Sequence, residues 1–127
     1  MIGPISDDDF SQLIAAAMDD LPHSHIANMD NVAIVYADDP TTEQLEKQGV
    51  RKNHLLLGLY EGIPMTVRLS GSYSGVLPDK ITLFKNPLRA VSADRDEFYQ
   101  QIKRTLWHEI AHHYGLDHND IDSREGR

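Results

Sequence analysis

The chain of 127 residues contains no cysteine, which excludes disulfide bonds, thiolate nucleophiles and thiolate metal ligands. Any bound metal must therefore be held by histidine, carboxylate groups or water. The chain also lacks an apolar run approaching the ~18 residues that would cross a membrane. Its start, MIGPISDDDF, carries three aspartates where a secretory signal has positive charge. These absences predict a cytoplasmic protein that does not associate with a membrane.

Positive charge is scarce, because 12 Lys and Arg residues stand against 20 Asp and Glu residues and the formal net charge is −8. An acidic surface repels phosphate backbones, so the composition argues against nucleic acid as a partner. A local basic patch would be the exception, although scattered charge of this kind more often serves solubility. The residues that would form such a patch are Lys80, Lys85, Arg89, Lys103 and Arg104.

Length and periodicity predict a single α+β domain over residues 1–127, with a small mixed β-sheet packed against an N-terminal and a C-terminal helix. Ser6 is a good N-cap, and apolar residues recur behind it at helical spacing as far as Leu21. A second, short helix is expected to stop at Gly49. Three segments predict strands by their apolar and β-branched content, namely NVAIVYADDP, HLLLGLYEG with a bulge at Gly58, and DKITLF.

The C-terminal helix is expected to begin near Asp94, because Asp94 and Glu97 stand in capping-box spacing. It runs to Tyr114, and Gly115 is the natural residue to end it. DKITLF and MTVRL are the candidate edge strands, along which an extended peptide would add to the sheet.

The C-terminal helix carries the chemistry in the pattern H-E-x-x-H. His108 and His112 are four residues apart, so on a helix they lie one turn apart on one face and reach a single ion. Glu109 follows the first histidine, as the general base does in zinc-dependent hydrolases with this spacing. His113 lies on the apolar side of the helix, and we expect it to serve packing or hydrogen bonding.

A third ligand is predicted beyond the helix. Gly115 allows the chain to turn back, so that His118 approaches the same ion and completes H-E-x-x-H-x-x-G-x-x-H. Three protein ligands and a water are the arrangement of a catalytic zinc site, with one Zn²⁺ per chain. Asp117 is the alternative third ligand, or an acceptor for a ligand's free N–H.

The sequence resembles the small bacterial zincin-like metallopeptidases, or minimal zincins. The resemblance implies a reduced zincin-like fold, zinc held by His108 and His112, and Glu109 as the catalytic base. It also places the third ligand after the glycine, where the family often has an acidic residue in place of His118. The resemblance rests on four blocks in this order: NVAIVYADDP, LLGLYEGIPMT, LPDKITLFKNPL and RTLWHEIAHHYGLD.

The leading prediction is therefore a zinc-dependent peptidase that acts on a peptide or protein substrate. One alternative is a metal-dependent endoribonuclease with three histidines at the same spacing, although that family commonly has glycine at the position of Glu109. A second alternative is a metal-stabilised protein-binding module with little turnover, because a small scaffold has few walls for a cleft. Four side chains are candidates for stabilising an oxyanion, namely Tyr60, Arg68, Tyr73 and Tyr114.

Overall fold

The computed structural model describes residues 2–22, 32–50, 54–62 and 79–113, with His112 and His113 described by their backbone only. The mixture of helices with a small sheet within these ranges confirms the α+β class. The elements are α1 (Asp7–Asp20), β1 (Val32–Ala37), α2 (Thr42–Lys47), β2 (Gly58–Glu61), β3 (Asp79–Phe84), α3 (Lys85–Ala90) and α4 (Arg95–His113).

The sheet has the strand order β1-β3-β2 and is mixed, as expected. β1 runs parallel to β3 and β2 runs antiparallel to it, with Ile34 and Tyr60 on either side of Ile81. The expectation that DKITLF is an edge strand is therefore wrong, since β3 pairs on both sides. Thr82 and Phe84, which alternate with Ile81 and Leu83 and therefore lie on the other face of the sheet, are buried as well. The other candidate edge segment, MTVRL, lies outside the described residues.

The two long helices form at their predicted positions. The Ser6 hydroxyl accepts a hydrogen bond from the Asp9 amide at 3.1 Å and caps α1. At α4 the Asp94 carboxylate accepts from the Glu97 amide at 2.8 Å. Glu97 in turn accepts from the Ala93 amide, one residue before the expected capping-box position. The expected end of α4 at Tyr114 lies outside the described residues.

The hydrophobic core lies where α1 and α4 cover one face of the sheet. α1 contributes Phe10, Ile14 and Ala17, which recur at helical spacing. β3 contributes Ile81 and Leu83 from the covered face of the sheet. α4 contributes the residues Phe98, Ile102, Leu106, Trp107, Ile110 and Ala111. This packing leaves His108, the first of the predicted metal ligands, outside the core.

The short helix α3 was not predicted, because Asn86-Pro87 suggests a turn after a strand. The helix is set by contacts from distant parts of the chain. The Asn86 amide donates to the backbone carbonyl of Asp38 at 2.9 Å, and its side chain donates to Asp39 at 2.9 Å. Ser92 then closes the helix with a 2.7 Å hydrogen bond to the Leu88 carbonyl.

The basic residues of this region hold the N-terminal segment. The buried Lys85 ammonium donates to the Ile5 carbonyl at 2.9 Å and to the Asp7 carboxylate. Arg89 donates to the carbonyls of Gly3 and Ile2 at 3.0 and 3.2 Å. These two cations are thus engaged within the chain, at its N-terminal segment.

Candidate metal centre

The helix α4 carries both residues of the H-E-x-x-H pattern that have described side chains. His108 is half-buried and is absent from the hydrophobic core, although Trp107 before it and Ile110 two residues after it belong there. The backbone stays helical through His112, so the two histidine positions are one turn apart, about 6 Å along the axis. The local backbone therefore has the geometry that the predicted ligand pair requires.

Glu109 lies between α4 and the sheet. Its carboxylate is half-buried and accepts a hydrogen bond from the backbone amide of Tyr60 in β2. Burial raises the pKa of Glu109 above its ordinary value of 4.5, and the Tyr60 hydrogen bond opposes that rise. The carboxylate is thus fixed by a strand amide and has a pKa displaced toward neutrality, the direction a general base requires.

The close contact between β2 and α4 depends on Gly58. A Cβ atom at this position would lie 2.5 Å from Cγ2 of the buried Thr105, which is one turn before Glu109 on α4. No real side chain tolerates that distance, so only glycine permits the strand to approach the helix this closely. The expected bulge is absent, since the pairing with β3 continues without interruption from Gly58 to Glu61.

The side chain of Tyr60 is committed elsewhere. Its hydroxyl donates to the Asp79 carboxylate at 2.8 Å, and its ring packs against the core. It would have to leave Asp79 to stabilise an oxyanion, whereas its backbone amide already reaches Glu109. The other oxyanion candidates, Arg68, Tyr73 and Tyr114, lie outside the described residues.

The complete ligand set remains a prediction. Among residues 2–22, 32–50, 54–62 and 79–113 there is no group of three or more His, Asp or Glu side chains that could hold a metal ion. His118 and its alternative Asp117 lie outside these ranges, and so does the side chain of His112. The chemistry of the donors still fits zinc, because imidazole nitrogens are preferred zinc ligands and His108 stands clear of the core.

Sequence comparison places the chain in a known family. The sequence profile of the zincin-like metallopeptidases matches residues 29–127. That match spans most of the chain, including β2, β3 and the whole of α4. The protein thus belongs to the zincin-like metallopeptidase family, as the sequence resemblance indicated. No protein of established function among curated sequences matches it.

Structural comparison supports the fold. A conserved hypothetical protein from T. thermophilus has a similar structure, with a TM-score of 0.56 over 87% of this chain and 94% of that one. The two sequences are 18% identical, so the likeness concerns the fold alone. It agrees with a reduced zincin-like α+β fold.

Family membership gives a metallopeptidase-type function in general terms, with zinc as the metal that the family implies. In the described part of the chain, no helix is both long enough and apolar enough to cross a membrane.

Proposed function

We propose that the protein is a zinc-dependent peptidase in which His108, His112 and His118 hold one Zn²⁺ and Glu109 is the general base. The observation that carries the proposal is the placement of Glu109, held by the Tyr60 amide directly beside the first ligand position on α4. A surface histidine cluster without catalytic purpose would not require a half-buried carboxylate held by a neighbouring strand.

When bound, zinc lowers the pKa of a coordinated water toward ~7 and so supplies a nucleophile at neutral pH. Glu109 would accept a proton from the attacking water and deliver it to the leaving amine. Its raised pKa favours this exchange, because a base whose pKa is closer to neutral is better matched to proton transfer at the working pH. The Tyr60 amide keeps the carboxylate in one orientation through both transfers.

The substrate is proposed to be an extended peptide that adds to β2. This strand pairs with β3 on one side only within the described part of the sheet. Its free edge runs beside α4, where Gly58 and Tyr60 contact the catalytic helix. Main-chain groups of this edge other than the Tyr60 amide, which Glu109 occupies, would hold a peptide whatever its side chains. β2 thus takes the role that was expected of DKITLF.

The proposal is tested with full-length protein loaded with Zn²⁺. Glu109→Gln should retain about one zinc per chain by elemental analysis and lose peptide hydrolysis by roughly 10²- to 10⁴-fold in kcat. Glu46→Gln, an exposed change on α2, is the matched control and should leave kcat unchanged. Full activity of Glu109→Gln on a verified substrate would refute the mechanism.

The same preparation separates the alternatives. Chelator-sensitive cleavage of RNA without cleavage of peptides would favour the endoribonuclease. Stoichiometric zinc without turnover on a diverse peptide library would favour the binding module.

A further inference from the structure

A cleft of about 250 Å³ lies between the C-terminal end of α1 and one face of α4. The peptidase mechanism proposed above uses none of its residues. Its walls are formed by Asp20, Leu21, Pro22, Gln100, Lys103, Arg104 and Trp107. The α4 members recur at helical spacing, so they form a single stripe along the helix.

The cleft combines an apolar floor with a basic rim. Leu21 and Trp107 are buried, at 5% and 2% exposure, and form the floor. Lys103 is half-buried, Arg104 is exposed, and neither forms an ion pair with any residue in the described part of the chain. Asp20 is the one carboxylate in the wall, and it accepts a hydrogen bond from the Tyr99 hydroxyl on α4.

The charge balance of the cleft is opposite to that of the whole protein. Two cations face one carboxylate in the cleft, whereas the chain carries a formal net charge of −8. Cations that form no ion pair among the described residues, set above an apolar floor, favour a ligand that carries both a negative charge and an aliphatic stem. A glutamate side chain has both of these properties.

The size of the cleft decides between classes of ligand. Pockets for cofactors and drug-sized molecules occupy roughly 300–1,000 Å³. A cleft of about 250 Å³ is below that range and suits a single side chain of a longer ligand.

The cleft lies close to His108 along the axis of α4. Trp107 directly precedes His108, and Arg104 lies one turn before it, about 6 Å along the helix axis. At about 100° per residue, the stripe that lines the cleft faces a different side of α4 from Glu109, which contacts β2. An extended peptide advances about 3.3 Å per residue. A substrate that crosses α4 at His108 would therefore reach the cleft a few residues from the bond that is cut.

We propose that the α1–α4 cleft is a specificity subsite that binds an acidic side chain of the peptide substrate. Lys103 and Arg104 pair with its carboxylate, while Leu21 and Trp107 contact its aliphatic stem. That the bound peptide is a substrate rests on the proposed peptidase function. The preference for an acidic side chain rests on the cleft alone.

The test compares pairs of short peptides in which one position is either glutamate or glutamine and all other residues are neutral. This position is moved along the peptide from one pair to the next. Binding is measured by fluorescence anisotropy on zinc-loaded Glu109→Gln protein, and cleavage is measured separately on the wild type. At one position the glutamate peptide should bind about tenfold more tightly than its glutamine partner. Adding Lys103→Gln and Arg104→Gln should abolish that preference, and Arg104→Glu should reverse it.

Arg95→Gln is the matched control, since Arg95 is an exposed cation on the same helix outside the cleft. It should leave the preference intact. If the double variant does not fold, Arg104→Glu carries the test alone, because it changes only an exposed side chain.

Three results are decisive. Equal binding of the two peptides at every position overturns the subsite. A preference for the glutamate peptide that persists in the folded double variant or in Arg104→Glu also overturns it. Lys103 and Arg104 would then serve to offset the negative end of the α1 helix dipole, since the last turn of α1 has no basic residue. A cleft-dependent preference without cleavage by the wild type supports the subsite and refutes the peptidase function.

Discussion

Replacing Gly58 with alanine should separate β2 from α4. The new Cβ would lie 2.5 Å from Thr105 Cγ2 and 3.2 Å from Leu83 Cδ2, where ordinary contact begins at 3.4 Å. With the buried Thr105 side chain in its present rotamer, strand and helix must move apart by roughly 0.9 Å to restore ordinary contact. Overpacking of this kind costs about 1–3 kcal/mol of unfolding free energy. That corresponds to about 3–5 °C of Tm per kcal/mol for a chain of this length.

The same movement should impair catalysis. Glu109 is held by the amide of Tyr60, two residues beyond Gly58 in the displaced strand. A misplacement near 1 Å in a catalytic arrangement can lower the rate by about 10²-fold. We expect Gly58→Ala to lower kcat by roughly 10- to 100-fold and to leave zinc content unchanged, since the ligands are not on β2.

Urea denaturation of a double-mutant cycle measures the effect. Thr105→Ser removes the methyl group that meets the new Cβ, so combining it with Gly58→Ala should recover about 1 kcal/mol relative to the sum of the single changes. Gly62→Ala is the control at the end of the same strand, because its Cβ meets nothing closer than 3.7 Å. If Gly58→Ala lies within ~0.5 kcal/mol of wild type, or if the two changes are additive, the close-contact argument fails.

Three further predictions follow from single groups. The folded protein favours the protonated form of Glu109, because burial raises the pKa of this carboxyl group. The contribution of protonated Glu109 to the unfolding free energy is therefore fully present below pH 4.5 and is lost as the pH rises through the raised pKa. Metal-free Glu109→Gln should therefore melt above wild type near pH 7, with the gap closing below pH 4.5, and equal melting at both values would contradict this. Lys85→Met should cost about 1–3 kcal/mol in urea denaturation and speed proteolysis of the N-terminal segment. The exposed Lys47→Met should do neither. Burial and then the Asp20 hydrogen bond raise the pKa of Tyr99 to about 12. The phenolate absorbance that is present in wild type and missing from Tyr99→Phe should therefore titrate near 12. A midpoint at or below 10 would refute this prediction.

The elements that sequence predicted well are those with local determinants. α1 and α4 carry their own caps at Ser6 and Asp94, and apolar periodicity over several turns. The central position of β3 was missed because pairing partners are not encoded in the strand itself. The helix α3 was missed because it depends on acceptors at Asp38 and Asp39, almost fifty residues earlier.

The candidate site divides in the same way. The spacing of His108, Glu109 and His112 is local, so the helix brings the ligand positions into register without outside help. The contact from Tyr60 to Glu109 uses a main-chain amide, which every residue except proline possesses. The residue type at position 60 therefore cannot predict the hydrogen bond to Glu109. Gly58 was the available clue, since a glycine inside a strand indicates a close approach by another part of the chain.

The anchoring of the N-terminal segment has an evolutionary consequence. Lys85 and Arg89 bind the carbonyl oxygens of Ile2, Gly3 and Ile5, which are main-chain atoms. These hydrogen bonds depend on the path of the main chain, while Ile2 and Ile5 also pack against the core and Asp7 pairs with Lys85 through its side chain. Gly3 and Pro4 are exposed, so their residue types are free to vary as long as the path is kept. In relatives of this protein, we expect variation to concentrate at these two positions and constancy at the basic pair that holds the segment.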